Sequence, residues 1–179
     1  TCMRRRLMDR LYDQSNVRDV IKLENFDTFD LRLFDTEVVP AEGISPKENA
    51  QRNLKKAMEF AEHPEGENLL LYGGAGRGET FLCNCIAKEV LEHGKTVLYL
   101  TAGQLFKQLE DMRFRNKEEE EPFDWDSEIL DADLLIIDDL GTEFATMFTA
   151  SELFRIVNDR KLRKRPVVIS TNLDYRALM

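Results

Sequence analysis

At 179 residues, with 42% hydrophobic and 33% charged side chains, the chain has room for one core-bearing domain of ordinary size and short appendages. Its net charge of -9 excludes a surface that is basic all over, so any contact with nucleic acid is confined to a local patch. No apolar stretch approaches a membrane span and no signal peptide precedes the first helix, so a cytoplasmic protein with no membrane partner is expected. The chain starts at Thr1 rather than at methionine, which sets the expectation of a fragment.

Residues Arg4 to Gln14 read as a short amphipathic helix with Leu7, Leu11 and Tyr12 on one face and Arg4, Arg5 and Arg6 at its start. Asn25 to Phe34 packs aromatics between aspartates, as a peptide laid across a domain surface rather than a regular element. Ser45, Pro46 and Glu48 then mark a helix start, combining an N-cap, a proline at the first helical position and the glutamate of a capping box. Ala50, Leu54, Ala57, Met58 and Ala61 are its expected inward face, and it ends near Pro64.

Leu69 to Tyr72 is an apolar run fit for a buried parallel strand, and it leads into a glycine-rich turn that opens onto a helix. The phosphate-loop pattern G-x-x-x-x-G-K-S/T needs glycines because the backbone must curl around phosphate oxygens and present its N-H groups, with the following helix N-terminus adding positive partial charge. Gly73, Gly78 and Thr80 fit that pattern in register. Gly74, Ala75, Gly76 and Arg77 form the intervening loop, and Phe81 follows it. The lysine position is Glu79.

That replacement reverses the sign of an interaction with a nucleotide's β and γ phosphates. At ~4 Å and an effective dielectric of ~20, one such pair amounts to about 4 kcal/mol. Micromolar binding is only about 8 kcal/mol in total. A Glu79 side chain pointing where the lysine would point defeats tight ATP binding; one turned outward, or paired with Arg77, does not.

The next helix runs from Thr80 to His93 and stops at Gly94; Cys83 and Cys85 within it are expected as small buried thiols. Three cysteines make no disulfide framework, and Cys2 alone holds no zinc. Thr96 to Leu100 is a second buried strand, after which Thr101 caps a helix carrying Leu105, Phe106, Leu109 and Met112. Asn116 to Asp126, with Glu118, Glu119, Glu120 and Glu121, reads as a solvated acidic loop.

Asp133 to Asp139 is a third strand ending in two carboxylates. Thr149 and Glu152 suggest a second capping box, for a helix through Leu153, Phe154, Ile156, Val157 and Leu162 that ends in the basic run Arg160, Lys161, Arg163, Lys164, Arg165. Pro166 to Ser170 is a fourth strand, running into Thr171 and Asn172, and Asp174 begins a last helix. His63 and His93 fall at helix ends, as surface residues.

Strands separated by helices of this length imply right-handed crossovers and a parallel sheet covered on both faces, with ligands bound at the carboxyl ends of the strands. The glycine loop, the pair Asp138 and Asp139, and Thr171 with Asn172 all fall at that edge. Phosphoryl transfer from ATP needs a phosphate cradle, Mg2+ and a group that orients water. Thr80 and Asp138 are the candidate Mg2+ residues, Asp139 the candidate base or water-orienting group, and Asn172 a candidate polar sensor of the γ phosphate or the attacking water.

The runs NFDTFD, GGAGRGETFL, CIAKEVLEHGKTVLYLTAGQLF, DLLIIDDLGTE and VVISTNL resemble the bacterial DnaC/DnaI-type helicase loaders of the AAA+ class and, more distantly, their IstB-like transposition relatives. The resemblance covers nearly all of the chain beyond about Glu24. It implies an α/β P-loop NTPase fold of the AAA+, ASCE type, a parallel sheet sandwiched by helices, with the Asn172 strand between the Gly73 and Asp138 strands. Residues 1–44 would be the remnant of an N-terminal helicase-binding or zinc region, with Cys2 the last member of a zinc cluster. Residues 45–179 would be a nucleotide-binding core cut before its lid, arginine finger and sensor 2 arginine.

In function the resemblance implies an ATP-controlled switch that binds the replicative helicase, helps place it on single-stranded DNA, and hydrolyses ATP when it assembles into an oligomer. Gly73 to Thr80 matches Walker A except at Glu79, Asp138 and Asp139 match Walker B, and Asn172 matches sensor 1. Lys107, Arg113 and Arg115, or the Arg160 to Arg165 run, are the expected contacts to single-stranded DNA. The competing readings are a loader-like scaffold or transposition helper that has lost nucleotide binding through Glu79, and a metabolic P-loop kinase. The last is disfavoured because no acceptor-binding insertion is visible.

Overall fold

The computed structural model describes residues 20, 22–41, 43–64, 66–73, 78–114, 124–141 and 146–173. The expected helix over 4–14, Cys2, the loop residues Gly74, Ala75, Gly76 and Arg77, most of the acidic stretch and the helix from Asp174 lie outside them.

Four strands form one sheet: β1 (Leu69–Tyr72), β2 (Val97–Thr101), β3 (Leu134–Leu140) and β4 (Val167–Thr171). Their order is β1-β4-β3-β2 and every pairing is parallel. Four consecutive residues of β3, Leu134 to Ile137, are fully buried. Successive strand side chains point to opposite faces, so such a run requires both faces of the sheet to be covered. Burying each of these side chains contributes about 1.5–3 kcal/mol, which is why β3 forms the centre of the core.

The helices supply the cover. α1 (Pro46–Glu62) packs on α2 (Glu79–Glu92), which packs on β3 and β4, while α3 (Ala102–Phe114) packs on β2 and β3. α1 starts as its sequence dictates: the Ser45 hydroxyl accepts from the Glu48 amide at 3.2 Å and the Glu48 carboxylate accepts from the Ser45 amide at 3.0 Å. Its buried face is Ala50, Ala57, Phe60 and Ala61 with Leu54 partly buried, whereas Met58 turns to the surface, 43% exposed. Thr101 and Gln104 form a reciprocal cap at the start of α3.

Two boundaries differ from the sequence reading. A short helix α4 (Trp125–Asp131) occupies the end of the stretch read as an acidic loop, with Asp124 accepting from the Ser127 amide as its N-cap. Asp126, the last residue of that stretch, and Glu128 lie in the first turn of α4, where negative charge favours the positive N-terminal end of a helix. The following helix, α5 (Met147–Leu162), is capped by Thr146, whose hydroxyl accepts from the Thr149 amide at 3.1 Å. Thr149 is therefore the third residue of that helix and not its cap. The aromatic segment near the N-terminus is more regular than expected, making two 3-10 turns, Phe26–Thr28 and Leu31–Leu33, that bring Phe26 and Phe29 against the core.

Candidate functional site

The carboxyl ends of β1, β4 and β3 converge through Thr171. Its carbonyl accepts from the Gly73 amide at 3.3 Å, and its hydroxyl donates to the Leu140 carbonyl. The start of the glycine turn and the end of the carboxylate strand are thus fastened to one residue of β4. Asn172, the next residue, is exposed at the same edge.

Asp138 is the centre of this edge. It is 6% exposed and accepts from three hydroxyls: Thr80 Oγ1 at 3.1 Å and Ser170 on Oδ1, and Tyr99 at 2.9 Å on Oδ2. The donors come from the start of α2, from β4 and from β2, so three elements aim at one side chain of β3. Burial, then the nearby Cys83 thiol and the Asp138 charge, push the Tyr99 phenol well above its ordinary pKa, so it remains a donor. Cys83 is buried against the same group. Burial first, then Asp138, pushes its thiol up, opposed by a hydrogen bond with Ser170. Cys85 is pushed up to about 12, mainly by burial. Both cysteines are buried thiols, and among the described residues no cluster of histidine, cysteine and carboxylate side chains could hold a metal.

The two carboxylates are adjacent in sequence yet differ in setting, because β3 bulges. Ile137 pairs with Ile169 and Leu140 with Thr171, leaving Asp138 and Asp139 opposite Ser170 alone. Asp139 has φ of 56°, in the left-handed region, and is exposed. The expectation that the strand ends in the two carboxylates is corrected: the ladder continues to Leu140, and an extra residue reorients the pair.

At the opposite wall, Gly78 precedes α2 with φ of 94°, a conformation that favours glycine. A Cβ there would lie 3.7 Å from Phe29 and 3.8 Å from Phe34. Those rings stack at 5.7 Å, and Phe29 meets Phe81 edge-on at 5.5 Å. The N-terminal segment thus builds an aromatic wall beside the glycine turn. Glu79 is the first residue of α2, half-buried, where the helix end favours a negative charge. Arg77, its suggested partner, lies outside the described residues.

Oxygen donors of the Thr80 and Asp138 kind suit a hard divalent cation such as Mg2+. The Thr80 hydroxyl gives its proton to Asp138 and keeps its lone pairs for a ligand. The phosphate side fits less well, since the motif position that would supply a cation to the phosphates is Glu79. Two candidate Mg2+ ligands, Thr80 and Asp138, thus stand side by side, while the cation of the phosphate-loop motif is replaced at one position.

The basic residues divide sharply. Arg160 is fully buried and donates to the carbonyls of Ile129 at 2.6 Å and of Ala132 and Pro166 at 2.9 Å, so it is unavailable to DNA. Arg163 pairs with Asp131 at 2.6 Å and Arg165 with Asp133. Arg113 lies over the Phe148 ring at 5.1 Å, Lys107 is exposed, and Arg115 lies outside the described residues. Sequence reasoning missed Ser170 and Tyr99. The available signal was a polar residue inside an otherwise apolar strand, set beside Asp138 by the expected strand order.

Among the described residues no helix is long and apolar enough to cross a membrane. Residues 5–178 match the family of IstB-like ATP binding proteins. The chain is 25% identical over 169 residues to the replicative helicase loader DnaC of Escherichia coli K12, an alignment covering 92% of this chain and 62% of that protein. Thus the chain spans under two thirds of that relative's length. In structure it is similar to domain III of the replication initiation protein DnaA from Thermotoga maritima, at a TM-score of 0.64 and 26% identity, over 87% of this chain and 59% of that one. The crystal structure of the DnaC helicase loader gives a TM-score of 0.64 at 21% identity, over 84% of this chain and 77% of that one. The fold is that of the AAA+ P-loop domains of these replication proteins, and the chain belongs to the IstB-like ATP binding protein family.

Proposed function

We propose that this chain is the nucleotide-responsive core of a helicase loader, which binds Mg-ATP weakly at the edge of its sheet and acts on the replicative helicase and single-stranded DNA. The observation that carries this reading is the contact between Thr80 and Asp138, which joins the glycine turn to the carboxylate strand. Likeness to DnaC over nearly the whole of this chain supports the replication context. Gly73 to Thr80 would hold the phosphates, with Phe81 beside them, and Thr80 and Asp138 would hold Mg2+. Bound there, the metal would neutralise phosphate charge. Asp139, exposed on the bulge, would accept a proton from water or orient it, and Asn172 would read the γ phosphate from the neighbouring strand end.

Glu79 favours a second reading, in which the chain keeps the loader scaffold and its partner contacts but responds poorly to nucleotide. Helicase transfer to closed circular single-stranded DNA, followed with and without ATP, tests both. The first reading predicts transfer that this chain promotes and ATP modulates, with a larger ATP effect in a Glu79→Lys variant. Transfer promoted equally with and without ATP in both proteins favours the scaffold. A chain that neither binds the helicase nor promotes transfer contradicts both.

A further inference from the structure

Ser170 does what a backbone carbonyl would do in an unbroken ladder. It is 2% exposed on β4, opposite the two bulged residues of β3. Its hydroxyl oxygen accepts from the Asp139 amide at 2.8 Å while its proton goes to Asp138 Oδ1. One hydroxyl therefore holds the backbone of one carboxylate residue and the side chain of the other. A bulge leaves an amide without a ladder partner, and this part-buried one finds its acceptor in the Ser170 hydroxyl. Behind Ser170 stands the fully buried Cys83, which limits the room for any larger side chain.

We propose that Ser170 is a positioning residue: by closing the β3 bulge with a single hydroxyl it fixes Asp138 and Asp139 relative to each other and ties both to the strand that ends in Asn172. The inference rests on the nucleotide reading above. Alanine at this position leaves the Asp139 amide without its acceptor and Asp138 Oδ1 with Thr80 as its remaining described donor. The left-handed backbone at Asp139 then relaxes, and the carboxylate pair loses its fixed spacing. Because Ser170 lies two residues before Asn172, displacement of that strand end by a ligand would be felt at both carboxylates through the same hydroxyl.

The test uses Ser170→Ala in the full chain with two measurements. Amide hydrogen exchange, read at Asp139 and at Ile136 in the same strand, separates loosening of the bulge from general destabilisation. Asp139 should accelerate at least about tenfold more than Ile136. In the Glu79→Lys background, Mn2+ binding followed by electron paramagnetic resonance in the presence of ATP should need about tenfold more metal. Metal-free ATP affinity should stay within about twofold.

Equal acceleration at the two amides, or none, overturns the lock. A loosened bulge with unchanged Mn2+ binding overturns the positioning role. If the Glu79→Lys protein binds no ATP at all, the nucleotide reading fails on its own account, and Ser170 is reduced to a fold lock by whatever the exchange data show.

Discussion

The Tyr99 hydroxyl donates to Asp138 Oδ2 at 2.9 Å across adjacent parallel strands, two positions out of register, with both residues buried. A buried carboxylate needs donors, and Tyr99 provides the one described for this oxygen. Tyr99→Phe keeps the ring's packing and removes only the donor, so it should destabilise the fold by about 1–3 kcal/mol in urea melts. No loss of stability would mean that water satisfies Asp138 equally well.

Arg160 fastens the end of α4 and the start of β4 from beneath, through three carbonyls and no carboxylate. Burial, reinforced by Arg165, lowers its pKa to about 10, still far above neutrality, so the guanidinium stays charged. Arg160→Met should cost about 3–5 kcal/mol, because it strands buried acceptors. Arg160→Lys should recover only part of this, since one ammonium does not reproduce a planar fork of donors. Thermal melts that rank lysine level with arginine would contradict this account.

Gly78 has room for a methyl group but not the backbone for one. The nearest atoms to a Cβ are at ordinary contact distance, yet φ is 94°. Gly78→Ala should destabilise by about 1–2 kcal/mol through conformation alone. Phe29→Ala in the same background should add its own cost independently, because no clash links the two. A double mutant in which Phe29→Ala restores part of the stability lost in Gly78→Ala would show that the methyl group does collide with the aromatic wall.

Asp133 links three strand starts, accepting from the Thr96 amide and hydroxyl at 2.8 Å each and from Arg165. Burial raises its pKa, but the Thr96 bonds and Arg165 together outweigh it and hold the carboxyl below its ordinary value. The folded state therefore binds this proton less readily than the unfolded chain, whose value is about 3.9. Its contribution is fully present above that pH and is lost as pH falls through the folded value. Asp133→Asn should lower stability at pH 7 and flatten the acid limb below about pH 4, seen in melts across pH. An acid limb identical to that of the parent would assign the pH dependence elsewhere.

β2, β3 and β4 were legible because buried parallel strands are continuous apolar runs; β1 reads the same way in sequence, yet at the sheet edge Leu71 alone of it is buried and Leu70 and Tyr72 are exposed. The helix starts at Ser45 and Thr101 were legible because capping boxes are local chemistry. α4 was hidden, since an N-cap of Asp124 followed by further acids resembles a repelling loop until the helix dipole is counted. Thr146 and Thr149 both suit a cap, and only geometry selects between them. Thr80 and Asp138 were paired by motif and strand order. Ser170, Tyr99 and the inward turn of Arg160 depend on tertiary neighbours that no local pattern records, and the 3-10 turns that bring Phe29 to Gly78 depend on packing in the same way.

In the function proposed above, the glycine turn and Asp138 form one Mg-nucleotide pocket weakened by Glu79. Calorimetric titration of ATP, with and without Mg2+, into the Glu79→Lys protein and into Glu79→Lys with Asp138→Asn tests it most directly. Mg2+ should strengthen binding in the first protein, and that effect should disappear in the second. Affinity equal to that of the unaltered chain, or a Mg2+ effect that survives Asp138→Asn, would contradict it.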